Sequence, residues 1–332
     1  MDRHCRQCAE EINRGGFDLL FANSCMFFGA APIARYVQIP SVAFLQEPCR
    51  FLYEALPKLP WVALDAPDAW WRSAPYLGRR VVDMARTRGR RLQAREELAN
   101  ARAFTSILVN SYYSRESFLR AYGIDVDVCY LGVDTELFED RSAPREDFVI
   151  GIGSFGPTKN IHFVIRALSR LPQPRPRLVW VGNFTVGSYL EELTQLARSE
   201  NVEFEPKLRI RDAELIDLLN RARIMVYAPH LEPFGFAPLE ANACALPVVA
   251  VAEGGVRETV IDGVNGLLVG HDPSAMAAAI KYLLDSPESA RELGHNGRRM
   301  VAERWTLNHA VDRLEKRLLE TFQRANCSSI QC

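Results

Sequence analysis

Long apolar runs are missing from this sequence of 332 residues, and so is any excess of one charge. No stretch approaches the roughly eighteen uncharged apolar residues of a membrane-spanning helix, and the charged N-terminus lacks the apolar centre of a secretory signal. Basic side chains number 40 and acidic ones 41, whereas a dedicated nucleic-acid binder is normally more basic. We therefore expect a cytoplasmic protein that binds no nucleic acid.

Cysteines and metal-ligand patterns are also sparse. Eight cysteines are spread over the whole chain, which is too few for a disulfide scaffold of this length. Cys5 and Cys8 have the spacing of half a zinc knuckle, but His4 alone does not complete such a site, and a solvated N-terminal helix is the favoured interpretation. No two of the six histidines have the helical spacing of a metal pair. The sequence thus predicts neither a metal site nor a cofactor.

The second half of the chain alternates short β-branched runs with amphipathic helical stretches. Strands are predicted over 148–153, 178–182, 202–206, 224–229, 247–252 and 266–270. Helices are predicted over 159–171, 188–200, 211–222, 237–245 and 272–285, followed by two more over 287–303 and 306–324. Strands separated by helices of this length form βαβ units, which predict an α/β fold with a parallel, doubly wound sheet.

The first half repeats this pattern less completely. Strands are predicted over 17–24, 41–45, 106–111 and 126–132, and helices over 29–38, 79–103 and 114–122. A sheet that opens at Phe17 lacks the first strands and glycine-rich turn of a complete nucleotide-binding fold, and an open sheet edge would favour self-association. We expect a truncated N-terminal Rossmann-like domain, a charged linker, a second Rossmann-like domain, and a last helix that packs back towards the first domain, over 1–135, 136–147, 148–305 and 306–325.

Residues 151–156 form a G-x-G-x-x-G motif between a predicted strand and a predicted helix, as in dinucleotide-binding proteins. An NAD-binding fold also needs an acidic residue near the end of the next strand, and none occurs there before Glu191. We therefore reject a dehydrogenase. What remains is a glycine-rich turn at a helix N-terminus, followed by Lys159, which suits a diphosphate.

A second motif runs from Glu232 to Glu240, after a strand and into a helix. A carboxylate at Glu240 can accept hydrogen bonds from both hydroxyls of a ribose. The amides of Phe236, Ala237 and Leu239, at the helix start, would face a diphosphate together with the positive end of the helix dipole. Each glutamate taken alone could instead be a helix cap or a surface acid.

Residues 232–249 resemble the donor-site motif of family 4 of the retaining glycosyltransferases, which have the GT-B fold. The resemblance also covers Lys159 and residues 109–114, 130–138, 254–258 and 262–269, and so spans essentially all of 17–325. It implies transfer of a sugar from a nucleoside diphosphate to a hydroxyl of a sugar, lipid-linked or small-molecule acceptor. We favour UDP as the nucleotide, with GDP as the alternative that the sequence leaves open. It also implies front-face attack, which needs fixed positive charge at the departing diphosphate and no side-chain nucleophile. Because no paired carboxylates occur at the predicted diphosphate site, we expect the reaction to need no metal ion.

The resemblance implies a role for each matching residue. Catalysis falls to Lys159 and Glu232; nucleotide binding to Gly153, Ser154, Lys159, Gly182, Lys207, Leu239 and Glu240; and donor-sugar binding to Glu232, Phe234, Gly235, Phe236 and Ala237. Family members usually have an arginine where this chain has Ser154. Neutralisation of the diphosphate would then rest on Lys159, backbone amides and Arg257.

The acceptor-side candidates are Gln46, Glu47 and Arg50, which follow a strand of the first half. Relatives commonly present a histidine where this chain has Gln46, and a glutamine can hydrogen-bond a sugar but cannot act as an acid or base. A plain connecting loop is an equally open interpretation. Because of these departures, a non-catalytic or partner-dependent nucleotide-sugar-binding protein stays the principal alternative, and a GT-B epimerase is a weaker one.

Aromatic residues cluster in 51–77, and 79–95 carries seven arginines beside the single acid Asp83. This combination suits peripheral contact with an anionic membrane at its inner face. The favoured interpretation is a solvated helix whose arginines face water, with these apolar side chains turned inward: Val81, Val82, Ala85, Leu92 and Leu98.

Overall fold

The computed structural model describes residues 1–53 and 73–330 and divides the chain into two compact units. Unit 1 comprises Met1–Cys129 and the chain from Arg313 onward, and unit 2 comprises Tyr130–Asp312. No helix within the described ranges is long and apolar enough to cross a membrane. Residues 54–72, which include the predicted aromatic cluster members Trp61, Trp70 and Trp71, lie outside the described residues.

Unit 1 is built on a four-stranded parallel sheet in the order β1-β2-β3-β4. Its strands are β1 (Leu20–Asn23), β2 (Ser41–Gln46), β3 (Ser106–Val109) and β4 (Asp127–Val128). Its helices are α1 (Asp2–Arg14), α2 (Arg50–Tyr53), α3 (Ala74–Ala103) and α4 (Tyr112–Tyr122). Strand β2 is buried along nearly its whole length because helices and loops cover both of its faces, so it is a continuous apolar run instead of an alternating one.

Two predictions for unit 1 are wrong. The helix expected over 29–38 is a single 3-10 turn, Pro32–Arg35, because Gly29 has a φ of 56° and Pro32 can only begin a helix. In α3, Val81 is 60% exposed and Val82, Ala85 and Leu92 are exposed too, instead of pointing inward. Among the described residues, it is the last turns of α3 that pack against the unit, and Leu98 there contacts the core as predicted.

Unit 2 carries a six-stranded parallel sheet in the order β10-β9-β8-β5-β6-β7. Its strands are β5 (Phe148–Ile152), β6 (Arg177–Gly182), β7 (Phe204–Leu208), β8 (Ile224–Tyr227), β9 (Val248–Val251) and β10 (Gly266–Val269). Its helices are α5 (Ile161–Leu168), α6 (Tyr189–Ser199), α7 (Asp212–Arg221), α8 (Phe236–Ala243), α9 (Val256–Thr259), α10 (Pro273–Asp285) and α11 (Pro287–Arg304). The last helix is α12 (Leu307–Ile330). All six predicted strands are present, and the strand expected over 202–206 is displaced to Phe204–Leu208.

Two buried apolar clusters cover the two faces of this sheet. One is centred on α8 and includes Ile150 and Met225, and the other is centred on α5 and includes Val149 and Val226. Neighbouring residues of one strand thus enter opposite clusters, as the alternation of side chains along a strand requires. The sheet is therefore buried on both faces, and its strand ends are the open places for a ligand.

Residues 136–147 lie within unit 2. Arg145 donates hydrogen bonds to the carbonyls of Leu219, Ala222 and Ala245 at 2.8, 3.1 and 3.0 Å. Carbonyls at the end of a helix have no partner within it, so the guanidinium supplies the missing donors at the ends of α7 and α8. This charged segment is thereby attached to the core of unit 2.

Candidate functional site

The strand order of unit 2 reverses between β5 and β8, and the segments after these two strands carry the predicted site. In a parallel sheet, ligands bind in the crevice that opens at such a reversal, outside the carboxyl ends of the strands. Lys159 follows β5 in a short 3-10 turn, Pro157–Lys159, and Glu232 follows β8. The topology thus places both predicted catalytic residues beside one crevice.

Lys159 and Glu232 form an ion pair in which Nζ lies 2.8 Å from Oε2. The lysine side chain is 24% exposed and the glutamate side chain 17%, so water screens this pair less than a surface pair. The two residues are 73 positions apart in the chain. The fold therefore brings together one cation and one carboxylate that can exchange partners with a charged ligand.

Glycines make room for this lysine. Gly153 has a φ of 151°, and a Cβ at that position would lie 3.0 Å from Cγ and Cδ of Lys159. A Cβ on Gly182 would lie 2.6 Å from the Gly153 carbonyl oxygen. Ser154 is half-buried in the same turn, where its carbonyl accepts a hydrogen bond from the Gly156 N–H at 2.9 Å. Side chains at 153 or 182 would therefore displace the turn that positions Lys159.

The backbone of Glu232 is fixed by the loop after β9. The Gly255 N–H donates to the Glu232 carbonyl at 2.7 Å, and Gly254, with a φ of 65°, approaches Glu232 too closely to accept a Cβ. Tyr227, at the end of β8, was missed by the sequence analysis. Its burial, and then the carboxylates of Glu232 and Glu240, raise the pKa of Tyr227 well above its usual value. Tyr227 therefore stays protonated beside Glu232.

Helix α8 begins directly after Gly235, which has a φ of 88° and provides no side-chain cap. The first-turn amides of α8 thus lack a side-chain acceptor from the capping position, which leaves them for a ligand. Phe234, Ala237 and Leu239 are buried in the core cluster, so only their backbone groups can face a ligand. The side chain of Phe236 is exposed.

Glu240 lies on the second turn of α8. Burial, and secondly the charge of Asp212, raise its pKa to about 7. Part of its surface remains open to solvent while protein surrounds the rest. A carboxylate desolvated in this way gains more from hydrogen bonds donated by a ligand than a hydrated one does, because it has already lost water.

Two other cationic side chains that were predicted to contact the donor, Lys207 and Arg257, have other partners. Lys207, on the edge strand β7, pairs with Glu205 at 3.0 Å and Glu214 at 3.6 Å, and the Glu205 hydrogen bond raises the pKa of Lys207. Arg257 is exposed and donates to the Gly254 carbonyl at 3.2 Å. Neither residue contacts Glu232 in the way that Lys159 does.

The acceptor-side candidates lie in unit 1, where β2 ends. Gln46 has a φ of 63°, and the register of β2 against β3 shifts between Phe44 and Gln46. Such bulges with strained backbones occur at strand ends near functional sites. Glu47 lies 3.6 Å from Arg50, so the two charges compensate each other.

A buried glutamate, Glu97, lies behind this loop and was missed by the sequence analysis. Glu97 is 1% exposed and accepts a hydrogen bond from the Tyr122 hydroxyl, which itself accepts one from the Cys49 N–H at 3.4 Å. Burial raises the pKa of Glu97 to about 7. Glu97 lies in the arginine-rich helix α3, and its charged neighbours in the sequence predict a surface residue.

Other polar features are not part of this crevice. Asp125 and Asp127 form an Asp-x-Asp pattern in unit 1, but Asp125 is bonded to Arg115 at 2.7 Å and Asp127 lies 3.6 Å from Arg317. Two cavities of unit 2, of about 360 and 560 Å³, share Arg145 and Arg223 and contain none of the predicted site residues. The strand ends around Lys159 and Glu232 therefore remain the candidate site.

Two α/β units with parallel sheets, one of which places a lysine, two glutamates and an uncapped helix N-terminus around its strand-order reversal, define a protein with two Rossmann-like domains. The chain belongs to the glycosyl transferases group 1 family, whose model matches residues 133–300. This match confirms the family that the sequence motifs predict.

Curated relatives match about half to two thirds of this chain. The D-inositol 3-phosphate glycosyltransferase of Frankia alni is 35% identical over 233 residues, which are 62% of this chain and 56% of that protein. The alpha-1,3/1,6-mannosyltransferase ALG2 of Rhizomucor pusillus is 29% identical over 205 residues, 52% of this chain and 45% of that protein. The chain thus spans about half the length of the curated relatives it matches.

Solved structures match over nearly the whole chain. Sucrose-phosphate synthase from Thermosynechococcus elongatus has a TM-score of 0.72 at 20% identity, over 97% of this chain and 79% of that one. Anabaena HepE in complex with UDP has a TM-score of 0.72 at 22% identity, over 96% and 82%. At such identities the likeness shows the fold alone, and the predicted GT-B fold with two Rossmann-like domains is confirmed.

Proposed function

We propose that this chain transfers a sugar, with retention of configuration, from a UDP-sugar to a hydroxyl acceptor. The observation that supports this proposal most directly is the Lys159–Glu232 ion pair, with Nζ 2.8 Å from Oε2, at the strand-order reversal of unit 2. The relatives that are named glycosyltransferases support sugar transfer, and the similar structure solved with UDP supports UDP as the nucleotide.

In this proposal the ion pair is the resting form of the site. A diphosphate brings negative charge to Lys159, which then exchanges one anionic partner for another without leaving its place. Glu232 is released to accept a hydrogen bond from a hydroxyl of the transferred sugar. The first-turn amides of α8 add donors that need no reorientation as charge develops on the departing diphosphate.

Glu240 is assigned to the ribose and Glu232 to the sugar, so their removal should have different effects. Calorimetric titration with UDP tests this assignment. Loss of two charge-assisted hydrogen bonds in Glu240→Ala should cost about 2–4 kcal/mol, or roughly thirty- to a thousandfold in affinity. Glu232→Ala should bind UDP nearly as wild type does, but should bind UDP-sugar more weakly and turn it over more slowly.

Glu191→Ala provides a matched control, because Glu191 is an exposed acid on α6 of the same unit. It should leave both measurements unchanged. If Glu232→Ala and Glu240→Ala lose UDP affinity equally, or if Glu240→Ala loses none, the donor site is assigned wrongly even though the fold is right.

The second candidate is a nucleotide-sugar-binding protein without its own transfer activity. The replacement of the usual arginine by Ser154 favours it, because the site then has one side-chain cation fewer for the diphosphate. Such a protein would show the same Glu240 dependence of UDP binding. It would release neither UDP nor a glycosylated product when incubated with UDP-sugars and a panel of hydroxyl acceptors, which distinguishes the two.

Peripheral contact with an anionic membrane belongs to the same proposal, through helix α3. Apolar side chains are exposed along it, with Val81 at 60% and Met84 at 56%, between arginines on both sides. A helix that presents apolar and basic side chains together can lie in a membrane interface. Gln46, Glu47 and Arg50, in the same unit, stay the proposed acceptor contacts.

A further inference from the structure

Three potential metal ligands meet at the carboxyl edge of the unit 2 sheet, outside the proposed donor contacts. They are His230, Glu253 and His271, and one ligand atom from each lies within 4.8 Å of the other two. His230 follows β8, Glu253 follows β9 and His271 follows β10. These strands are neighbours in a parallel sheet, so their carboxyl ends bring the three residues to one place.

We infer that His230, Glu253 and His271 bind a first-row divalent cation, of which Zn²⁺ is the best match. Two imidazoles and one carboxylate are ligands typical of zinc, whereas magnesium and calcium prefer oxygen atoms alone. In a tetrahedral zinc site the ligand atoms are about 3.3 Å apart, since each bond is about 2.0 Å long. His230 Nδ1 already lies 3.7 Å from Glu253 Oε2, so only small movements are needed.

The carboxylate is already oriented for this role. Glu253 Oε1 accepts a hydrogen bond from the Leu231 N–H at 2.8 Å, which holds the group and turns Oε2 to His230. Ligating carboxylates in metal sites commonly have such an outer hydrogen bond. The backbone N–H of His230 donates a hydrogen bond to the Thr158 carbonyl at 2.9 Å, which also fixes the backbone position of this residue.

His271 is held from its other side. Phe163 packs edge-on to its ring at 4.8 Å between centroids, and the His230 ring stacks on it at 5.0 Å. Asn160 is 1% exposed, with Nδ2 3.4 Å from His271 Nε2, and its Oδ1 has no hydrogen-bond partner within the described ranges. Because amide oxygen and nitrogen exchange on a half-turn, Oδ1 can accept the Nε2 proton and leave the Nδ1 lone pair of His271 for the ion.

Such an ion would fasten the loop that carries Glu232 to the loops after β9 and β10. His230 is two residues before Glu232, and Glu253 precedes the two glycines that pack on the Glu232 backbone. The cation would thus stabilise unit 2 and add to the backbone contacts that already hold Glu232, without contacting the diphosphate. Its presence does not depend on the proposed transfer activity.

The test uses the whole chain, stripped with EDTA, desalted, and titrated with zinc chloride by calorimetry and thermal unfolding. We expect one Zn²⁺ per chain and a Tm that rises by about 5–10 °C at free zinc a hundredfold above Kd. His271→Gln and Glu253→Gln should each weaken binding at least about tenfold. Glutamine retains an Oε1 acceptor for the Leu231 N–H, so Glu253→Gln should still fold.

His295→Gln is the matched control, because His295 is an exposed histidine on α11 of the same unit. It should bind zinc as wild type does. Titration with Co²⁺ separates this site from the thiols of Cys5 and Cys8, since only thiolate ligands give an intense near-ultraviolet charge-transfer band. Absence of zinc binding, unchanged binding in His271→Gln, or a thiolate band that accounts for the bound ion would each overturn the proposal.

Discussion

The two units hold their shielded carboxylates in opposite ways. In unit 2, Glu232 is paired with the ammonium of Lys159 beside an open crevice. In unit 1, Glu97 lies deep behind β2 with the hydroxyl of Tyr122 as hydrogen-bond donor, and burial raises its pKa to about 7. A paired carboxylate stays charged and can exchange its partner for a ligand, whereas a buried acid without a cation tends towards its neutral form and serves packing.

The largest expected effect comes from removing the cation of unit 2. Lys159→Ala takes away the fixed charge that we propose for the diphosphate, and should lower turnover of the UDP-sugar by about 10²–10³-fold. It also leaves the shielded Glu232 carboxylate without a cation beside it. Steady-state kinetics with the UDP-sugar measures the loss of turnover.

Lys281→Ala is the control for that variant, since Lys281 is an exposed lysine on α10 that pairs with Asp285. It should retain wild-type turnover. A Lys159→Ala protein with near-normal turnover would contradict the assigned role and would leave the Lys159–Glu232 pair as a structural contact only.

The next effect concerns Glu97 and its dependence on pH. The pKa of Glu97 is higher in the folded chain than in the unfolded one, so ionisation of Glu97 lowers the free energy of unfolding. Below pH 4.5 Glu97 is protonated in both states and there is no loss. The loss grows between pH 4.5 and about 7, and it is complete above pH 7. A rise from 4.5 to about 7 corresponds to about 3 kcal/mol. Glu97→Gln should therefore unfold less readily than wild type at pH 8, by up to that amount, and equally at pH 4.

Hydrogen exchange followed by mass spectrometry measures this difference in unit 1 separately from unit 2. Glu116→Gln, an exposed change on α4, should show no such pH-dependent gain. A gain that persists at pH 4 would mean that packing, and not the charge of Glu97, is responsible.

Glu240 extends the comparison, because its pKa is also raised to about 7 but its surroundings are open to a ligand. In the proposed donor site the charged form accepts hydrogen bonds from the ribose hydroxyls, so UDP affinity should rise by up to about tenfold between pH 6 and pH 8. UDP itself also changes its charge with pH, so the same measurement on Glu240→Gln, which has no ionisable group at this position, serves as the reference. Parallel pH profiles for the two proteins would show that Glu240 ionisation is not linked to binding.

Membrane contact would be a second difference between the units, because the helix with exposed apolar and basic side chains, α3, belongs to unit 1. Flotation with anionic liposomes should recover the protein at low salt and several-fold less of it at high salt, because screening weakens the arginine contribution. Val81→Asp should reduce flotation as well. Absence from liposomes at every salt concentration would leave α3 as a solvent-facing helix.

The smallest expected effect is that of chelation on turnover. In the proposed mechanism, Lys159 and the first-turn amides of α8 provide the positive charge that other enzymes take from a cation at the diphosphate. EDTA should therefore change turnover by less than about twofold at low temperature, even if it lowers the Tm by removing zinc from His230, Glu253 and His271. Complete loss restored by manganese or magnesium would contradict this mechanism.

Periodicity alone predicted the elements of unit 2 well, and the reason is that buried parallel strands are continuous apolar runs that differ clearly from amphipathic helices. It failed over 29–38, where apolar residues mimic a helix but Gly29 and Pro32 allow only a 3-10 turn. It failed again in α3, where helical spacing was correct but no other part of the described unit packs against Val81 and Val82. Periodicity predicts which face is apolar, and not whether a neighbour covers it.

The residue types and their local spacing already determined the family, the strands and helices of unit 2, and the candidacy of Lys159, Glu232 and Glu240. Tertiary structure alone decided that Lys159 pairs with Glu232 across 73 positions, and that His230, Glu253 and His271 meet. It also decided that Glu97 is buried, although the helix that carries it is rich in arginine. The reason is physical: parallel strands bring their carboxyl ends to one edge in an order that sheet topology sets, and no local pattern in the chain encodes that order.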